Sequence, residues 1–282
     1  MRRCSMRLVS PAVEALDTID AWGARTAAAG VTRADAELGT HGPRATPLPW
    51  ASVTKLLTGL AALVAAEEGT VDLDEPAGPP GSTLRHLLAH ASGLPPEGGA
   101  PLMPPARRRI YSNAGIEAAA ELVAARAEMP FERYLHEAIL EPLALAGELR
   151  GSPASGYVGP LDDLLKLGRE LLEPSLIAVE TMAEATSVQF PGLAGVLPGW
   201  GRMDPNDWGL SFELRDHKHQ HWTGRGNSPR TFGHFGATGT FLWVDPDAGL
   251  ACGALTDRGF GDWARDAWPR FSDAVLAEVA AS

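Results

Sequence analysis

The chain has 282 residues, 45% of them hydrophobic and 21% charged, with a formal net charge of −11. That length fits one large domain or two closely packed lobes with a substantial core. The acidic balance makes the chain a poor candidate for nucleic-acid binding, which needs clustered basic surface, and argues against docking on anionic membranes.

No apolar run reaches the roughly 20 residues of a bilayer-spanning helix. The longest, Leu56 to Ala66, is interrupted by Thr58 and Gly59 and ends at Glu67. At the amino terminus, Arg2 and Arg3 are followed by no apolar segment before Asp17 and Asp20. The expectation is therefore a cytoplasmic protein, unless an export signal has been removed from its start. Cys4 and Cys252 are too few and too far apart for a disulfide framework or a zinc site.

In chain order, Ser10-Pro11 reads as a helix start, and Val13, Leu16, Ile19 and Trp22 follow at helical spacing until Gly23 ends the element. Residues 26–40 are small and partly alternating, which predicts one or two strands. A second helix is expected to start near Ser52, with Leu56, Leu57, Leu60, Leu63 and Val64 on a broad apolar face and Gly69 as terminator. The middle, 71–204, is rich in helical patterns, with helices predicted over 118–128, 131–139 and 161–172.

After Trp208 the period changes. Leu210, Phe212 and Leu214 alternate with polar partners, as in a strand. Residues 240–244 and 250–255 form two more, joined through Asp245-Pro246-Asp247-Ala248-Gly249 as a hairpin. A last helix is predicted to begin near Pro269. This order predicts an α+β fold: an antiparallel sheet from both chain ends flanked by helices, with an inserted mainly helical lobe. One domain is expected over 1–282, its sheet lobe made by 1–70 plus 205–282 and its helical lobe by 71–204.

Three short elements carry chemistry. Ser52-Val53-Thr54-Lys55 puts a hydroxyl and an amine one turn apart at a helix start, on one face. Free backbone N–H groups and the positive helix end suit a developing oxyanion there. A serine needs a base to become a nucleophile, and a lysine serves once desolvation lowers its pKa. Taken alone, the pattern is equally explained by a helix cap and a surface lysine.

Tyr111-Ser112-Asn113 offers a phenol that can pass protons and an amide that can orient a lysine and a substrate carbonyl. A core tyrosine followed by a turn asparagine is the bland alternative. His234-Phe235-Gly236-Ala237 lies just before the hairpin; Gly236 allows close backbone approach, and the Ala237 N–H can complete an oxyanion hole with that of Ser52.

Together these elements resemble the serine hydrolase family of class C β-lactamases, D-alanyl-D-alanine peptidases and related esterases, which carries Ser-x-x-Lys, Tyr-x-Asn and Lys/His-x-Gly boxes in that order. The resemblance rests on Trp50 to Lys55, Glu68 to Asp74, Leu87 to Pro95 (Leu-Leu-Ala-His-Ala-Ser-Gly-Leu-Pro) and Phe232 to Thr240, with weaker similarity over Gly156 to Leu171. It spans about residues 26–280. It implies a β-lactamase/transpeptidase-like fold, Ser52 as nucleophile, Lys55 and Tyr111 sharing acid–base roles, and no cofactor. It further implies that Asn113 positions the substrate, that His234 lines the pocket and assists Tyr111, and that Gly236 and Ala237 border the oxyanion.

The third box departs from β-lactamases, which usually have lysine where this chain has His234. A mostly neutral imidazole is a poor partner for a carboxylate, so small esters or amides become the expected substrates. β-Lactam hydrolysis is one alternative reading and a catalytically silent binding module another. Arg107, Arg108 and Arg109 are expected to be a solvated basic run rather than a substitute cation. His217-x-His219-x-His221 alternates as metal ligands can, yet sits in a polar stretch that reads as a loop. No Gly-x-Ser-x-Gly elbow is present, which removes the α/β-hydrolase alternative. Among Trp200, Trp208, Trp222 and Trp243, core packing competes with an aromatic acyl pocket. Substrate identity and oligomeric state are not encoded in any of these patterns.

Overall fold

The computed structural model describes residues 13–281. The predicted helix start at Ser10-Pro11, and Cys4, lie outside them. The first element, Glu14–Trp22, is a 3-10 helix rather than an α-helix. Its large buried residues explain why: with Val13 just before it, Leu16, Ile19 and Trp22 are spaced by three, and a 3-10 helix stacks residues three apart on one face.

Two strands follow, β1 (Ala27–Thr32) and β2 (Glu37–His41). A short strand β3 (Leu48–Pro49) leads to a single 3-10 turn, Ala51–Val53, which runs directly into α1 (Thr54–Glu67). The middle contains α2 (Leu84–Leu88), α3 (Asn113–Ala127) and α4 (Phe131–Leu135), the last continuing into a π-helical turn, His136–Leu140. Strands β4 (Glu148–Leu149) and β5 (Tyr157–Gly159) pair with β3 in a three-stranded sheet. Next come α5 (Leu161–Leu172), α6 (Val179–Ala185) and a two-stranded ribbon of β6 (Gly195–Leu197) and β7 (Gly201–Met203). The chain ends with β8 (Glu213–Leu214), β9 (Phe232–Gly236), β10 (Thr240–Asp245), β11 (Leu250–Thr256) and α7 (Asp262–Ala281).

The main sheet has the antiparallel order β2-β1-β11-β10-β9-β8. β1 pairs with β11 from Ala27↔Thr256 to Thr32↔Ala251, so strands from the two ends of the chain meet inside the sheet. Side chains alternate across it. Leu242, Val244, Ala251 and Leu255 enter the core shared with α1 and α5, whereas Phe241, Trp243, Cys252 and Ala254 enter the one under the first 3-10 helix and α7. Both faces are therefore buried. The Glu278 carboxylate of α7 accepts the N–H groups of Glu14 and Ala15, each at 2.8 Å, tying the amino-terminal helix onto that layer.

Two elements differ from expectation. The strand read from Leu210, Phe212 and Leu214 is only two residues long. Ser211 has a left-handed φ of 70°, and its hydroxyl donates to the Lys55 carbonyl at 2.8 Å. The segment instead crosses α1 at Gly59, where any side chain would sit 2.3 Å from the Ser211 Cβ. The last helix starts at Asp262 and carries Pro269 in its interior. Trp268 and Phe271, both buried against Phe241, outweigh the helix-breaking cost of the proline.

Candidate active site

Ser52 sits in the 3-10 turn preceding α1, so Lys55 follows one turn later on the same face. Lys55 Nζ lies 3.2 Å from Ser52 Oγ and donates to Asn113 Oδ1 at 2.7 Å and to the Ala154 carbonyl at 2.9 Å. Its side chain is fully buried. Burial lowers its pKa to about 7, against the opposing pull of Glu97 and Glu117. Ala51, immediately before Ser52, has a φ of 46°. That left-handed residue turns the chain abruptly from β3 into the helix.

The turn is clamped from the sheet. Thr238 donates to the Pro49 carbonyl at 2.8 Å and Thr240 to the Trp50 carbonyl at 3.0 Å. A Cβ on Gly236 would lie 2.5 Å from the Trp50 oxygen, so only glycine lets β9 approach this closely. Ala237, the next residue, thereby borders the same cavity as Ser52.

Tyr111 donates its hydroxyl to Ser52 Oγ at 2.7 Å. Burial pushes the phenol well above its usual range, so it is protonated at neutral pH. The residue between Tyr111 and Asn113 has its own task. Ser112 caps α3, accepting the Gly115 N–H at 3.0 Å and donating to the Pro95 carbonyl at 2.7 Å. Asn113 is accordingly the first residue of a helix and not a turn residue. His90, from the Leu87 to Pro95 segment, accepts the Ser112 N–H through Nδ1 at 3.1 Å and packs its ring 4.7 Å from that of Tyr111.

His234 is buried, and its Nδ1–H donates to the Phe235 carbonyl at 2.7 Å, leaving Nε2 as the unprotonated nitrogen. Burial and the nearby Lys55 lower its pKa to about 3, which keeps the ring neutral. Its centroid is 5.8 Å from that of Tyr111 and 5.6 Å from that of Trp208.

A cavity of about 270 Å³ opens over these groups, lined by Ser52, Tyr111, Asn113, His234 and Ala237 on one side. Trp208, Phe235, Phe260, Leu197 and Pro198 make its apolar wall. Lys55 and Gly236 lie behind this surface. All seven residues singled out from the sequence are thus brought together. Of the four tryptophans, Trp208 reaches the cavity, while Trp222 and Trp243 are core residues.

Several participants escaped sequence reasoning. Phe235 lies inside the third box, but nothing marks Phe260 or the Ala154 carbonyl. Glu97, whose carboxylate accepts Asn113 Nδ2 at 2.9 Å, belongs to an unremarkable Pro/Gly loop. Arg109 corrects the expectation of a solvated run. Arg107 and Arg108 are exposed, but Arg109 is buried and donates to the carbonyls of Ala89, Gln189 and Asn206. The histidine trio divides. His217 and His219 face solvent, whereas His221 is buried and bonds Glu213 at 2.6 Å. Glu213 also binds Lys218 and Trp222, so this loop encloses a buried polar network behind β9.

The β-lactamase family profile matches residues 8–276. The chain belongs to the β-lactamase family. A β-lactamase of Mycobacterium bovis is 52% identical, covers 94% of this chain and 98% of its own, and superposes with a TM-score of 0.92. The LovD9 mutant of simvastatin synthase (LovD) from Aspergillus terreus is 20% identical over 95% of this chain and 98% of its own, with a TM-score of 0.77. SurE with D-Leu is 20% identical over 95% of this chain and 74% of its own, with a TM-score of 0.75. The last two show the shared fold alone. A search of curated proteins returned no significant match. Membership of this family is consistent with a serine hydrolase, and no helix among the described residues is long and apolar enough to cross a membrane.

Proposed function

We propose that this protein is a serine hydrolase that cleaves a small ester or amide through an acyl-enzyme on Ser52. The observation that carries this reading is the placement of Ser52 Oγ between the Tyr111 hydroxyl at 2.7 Å and the Lys55 amine at 3.2 Å, with that amine poised near neutrality.

In the acylation step, Ser52 Oγ bonds to the substrate carbonyl carbon while its proton passes to Lys55 Nζ and the carbonyl π pair moves onto oxygen. The N–H groups of Ser52 and Ala237 are assigned to that oxyanion. Tyr111, protonated and in contact with Oγ, delivers a proton to the leaving group as the tetrahedral adduct collapses. It then takes one from the attacking water in deacylation, and Lys55 returns its proton to Ser52 Oγ as the acyl bond breaks. His234, fixed as the Nδ1–H tautomer, presents an acceptor nitrogen beside Tyr111 rather than a charge.

The lining of the cavity supports a substrate class. Its wall is apolar and aromatic, its volume suits a compact acyl group, and no described lining residue is cationic. A carboxylate beside the scissile bond would find no countercharge, so uncharged acyl groups are favoured. Hydrolysis of a chromogenic short-chain ester, wild type against Ser52→Ala, tests the reading: activity is expected only in the wild type, and equal rates would contradict it.

A second reading is β-lactam hydrolysis, favoured by the 52% identical β-lactamase of M. bovis. The neutral His234 in place of a lysine weighs against efficient recognition of a β-lactam carboxylate. Turnover of a chromogenic cephalosporin faster than of the ester would reverse the order of the two readings.

A further inference from the structure

Glu97 lies in the loop between α2 and α3, outside every motif. Its carboxylate Oε1 accepts Asn113 Nδ2 at 2.9 Å. Although exposed, it is held beside the site. The preceding Pro96 carbonyl accepts the N–H groups of Asn113 at 2.8 Å and Ala114 at 3.2 Å, and the Pro95 carbonyl accepts the Ser112 hydroxyl. Gly98 and Gly99, with φ of 92° and 113°, turn the chain away immediately afterwards.

An asparagine amide donates on one side and accepts on the other, and a half-turn about its last bond exchanges the two. An ionised carboxylate only accepts. Glu97 therefore fixes Nδ2 toward itself and Oδ1 toward Lys55. A neutral lysine amine has two hydrogens and one lone pair. Asn113 Oδ1 at 2.7 Å and the Ala154 carbonyl at 2.9 Å take both hydrogens, which leaves the lone pair for the third neighbour, Ser52 Oγ. With the amide reversed, Nδ2 would compete for that lone pair.

We propose that Glu97 is a positioning residue of the acylation step: by locking the Asn113 amide, it aims the Lys55 lone pair at the Ser52 hydroxyl. The assignment rests on the hydrolase reading above. Glu97 also acts by charge. The groups facing Lys55 are Glu97 from the loop, Glu117 from α3, Tyr111, His90 and His234. The two carboxylates favour the protonated amine, so loss of either lowers the pH at which Lys55 becomes a base. Position and charge are separable, because glutamine keeps the accepting carbonyl and discards the charge.

The experiment is the second-order rate of Ser52 phosphonylation by a fluorophosphonate from pH 5 to 9, for wild type, Glu97→Ala and Glu97→Gln. Each protein is first checked for an unchanged melting temperature. Glu97→Ala is expected to lower the high-pH plateau about tenfold, less than the roughly 10²- to 10⁴-fold of a full acid–base contribution, because Lys55 itself remains in place. Glu97→Gln is expected to restore it to within about threefold. The acid limb should move to lower pH in both variants. A wild-type plateau and limb in Glu97→Ala, or a glutamine variant as slow as the alanine one, would overturn the assignment while leaving the hydrolase reading intact. A wild type that is not labelled at all would overturn both.

Discussion

The Tyr111 hydroxyl and Ser52 Oγ are 59 residues apart in sequence and 2.7 Å apart in space. Two separate devices bring them together. The strained Ala51 and the β9–β10 clamp fix the serine. The Ser112 cap and the His90 ring fix the tyrosine. Removing only the phenolic oxygen should therefore leave the fold intact. Tyr111→Phe is expected to lower kcat about 10²- to 10³-fold with little change in KM, read from steady-state ester hydrolysis.

Lys55 is expected to dominate the pH dependence of acylation. Because burial lowers its pKa to about 7, kcat/KM should rise with pH through that value and then level off. Lys55→Ala should lower kcat/KM by roughly 10³- to 10⁴-fold. Near-normal acylation in that variant would remove the lysine from the mechanism.

The same depressed pKa has a consequence for stability. The unfolded chain binds a proton on this lysine up to about 10.5, whereas the folded chain releases it near 7. The cost of burying the charge is fully present below pH 7 and relieved as pH rises from 7 toward 10.5. Denaturant titrations should show that gain in the wild type and lose it in Lys55→Met.

For His234 the expectation is a missing effect. A ring kept neutral down to about pH 3 contributes no limb between pH 5 and 8. His234→Gln should change the level of the kcat/KM profile but not its shape. Loss of the acid limb in that variant would transfer the limb from Lys55 to His234.

Glu213 tests the buried network behind β9. Burial alone would raise its pKa, but His221 and Lys218 hold it down to about 2. A depressed carboxylate stabilises the fold above its unfolded pKa near 4.5, and that stability is lost as pH falls from there toward 2. Glu213→Gln leaves a buried lysine without its partner and should cost about 3–5 kcal/mol at pH 7, read by denaturant unfolding.

The parts of this molecule legible in its sequence are those in which periodicity or residue chemistry acts locally. The apolar face of α1, the hairpin at 240–255 and the helix over 161–172 follow from spacing and turn residues. Ser52 to Lys55 and Tyr111 to Asn113 were visible because each pair needs a fixed offset within one turn or cap. What was hidden depends on contacts between distant segments. Ser211 breaks a predicted strand because α1 crosses it at Gly59, and Pro269 stays inside a helix because Trp268 and Phe271 are packed on both sides of it. Glu97 and Phe260 join the site through loops whose composition carries no signal.

The proposed mechanism requires a covalent acyl group on Ser52. Its most direct test is acid quenching during the first turnovers of an activated ester, followed by intact-mass and peptide-mass measurement. One acyl adduct per chain is expected on the peptide containing Ser52, absent from Ser52→Ala. Turnover with no adduct, or an adduct on any other residue, would contradict it.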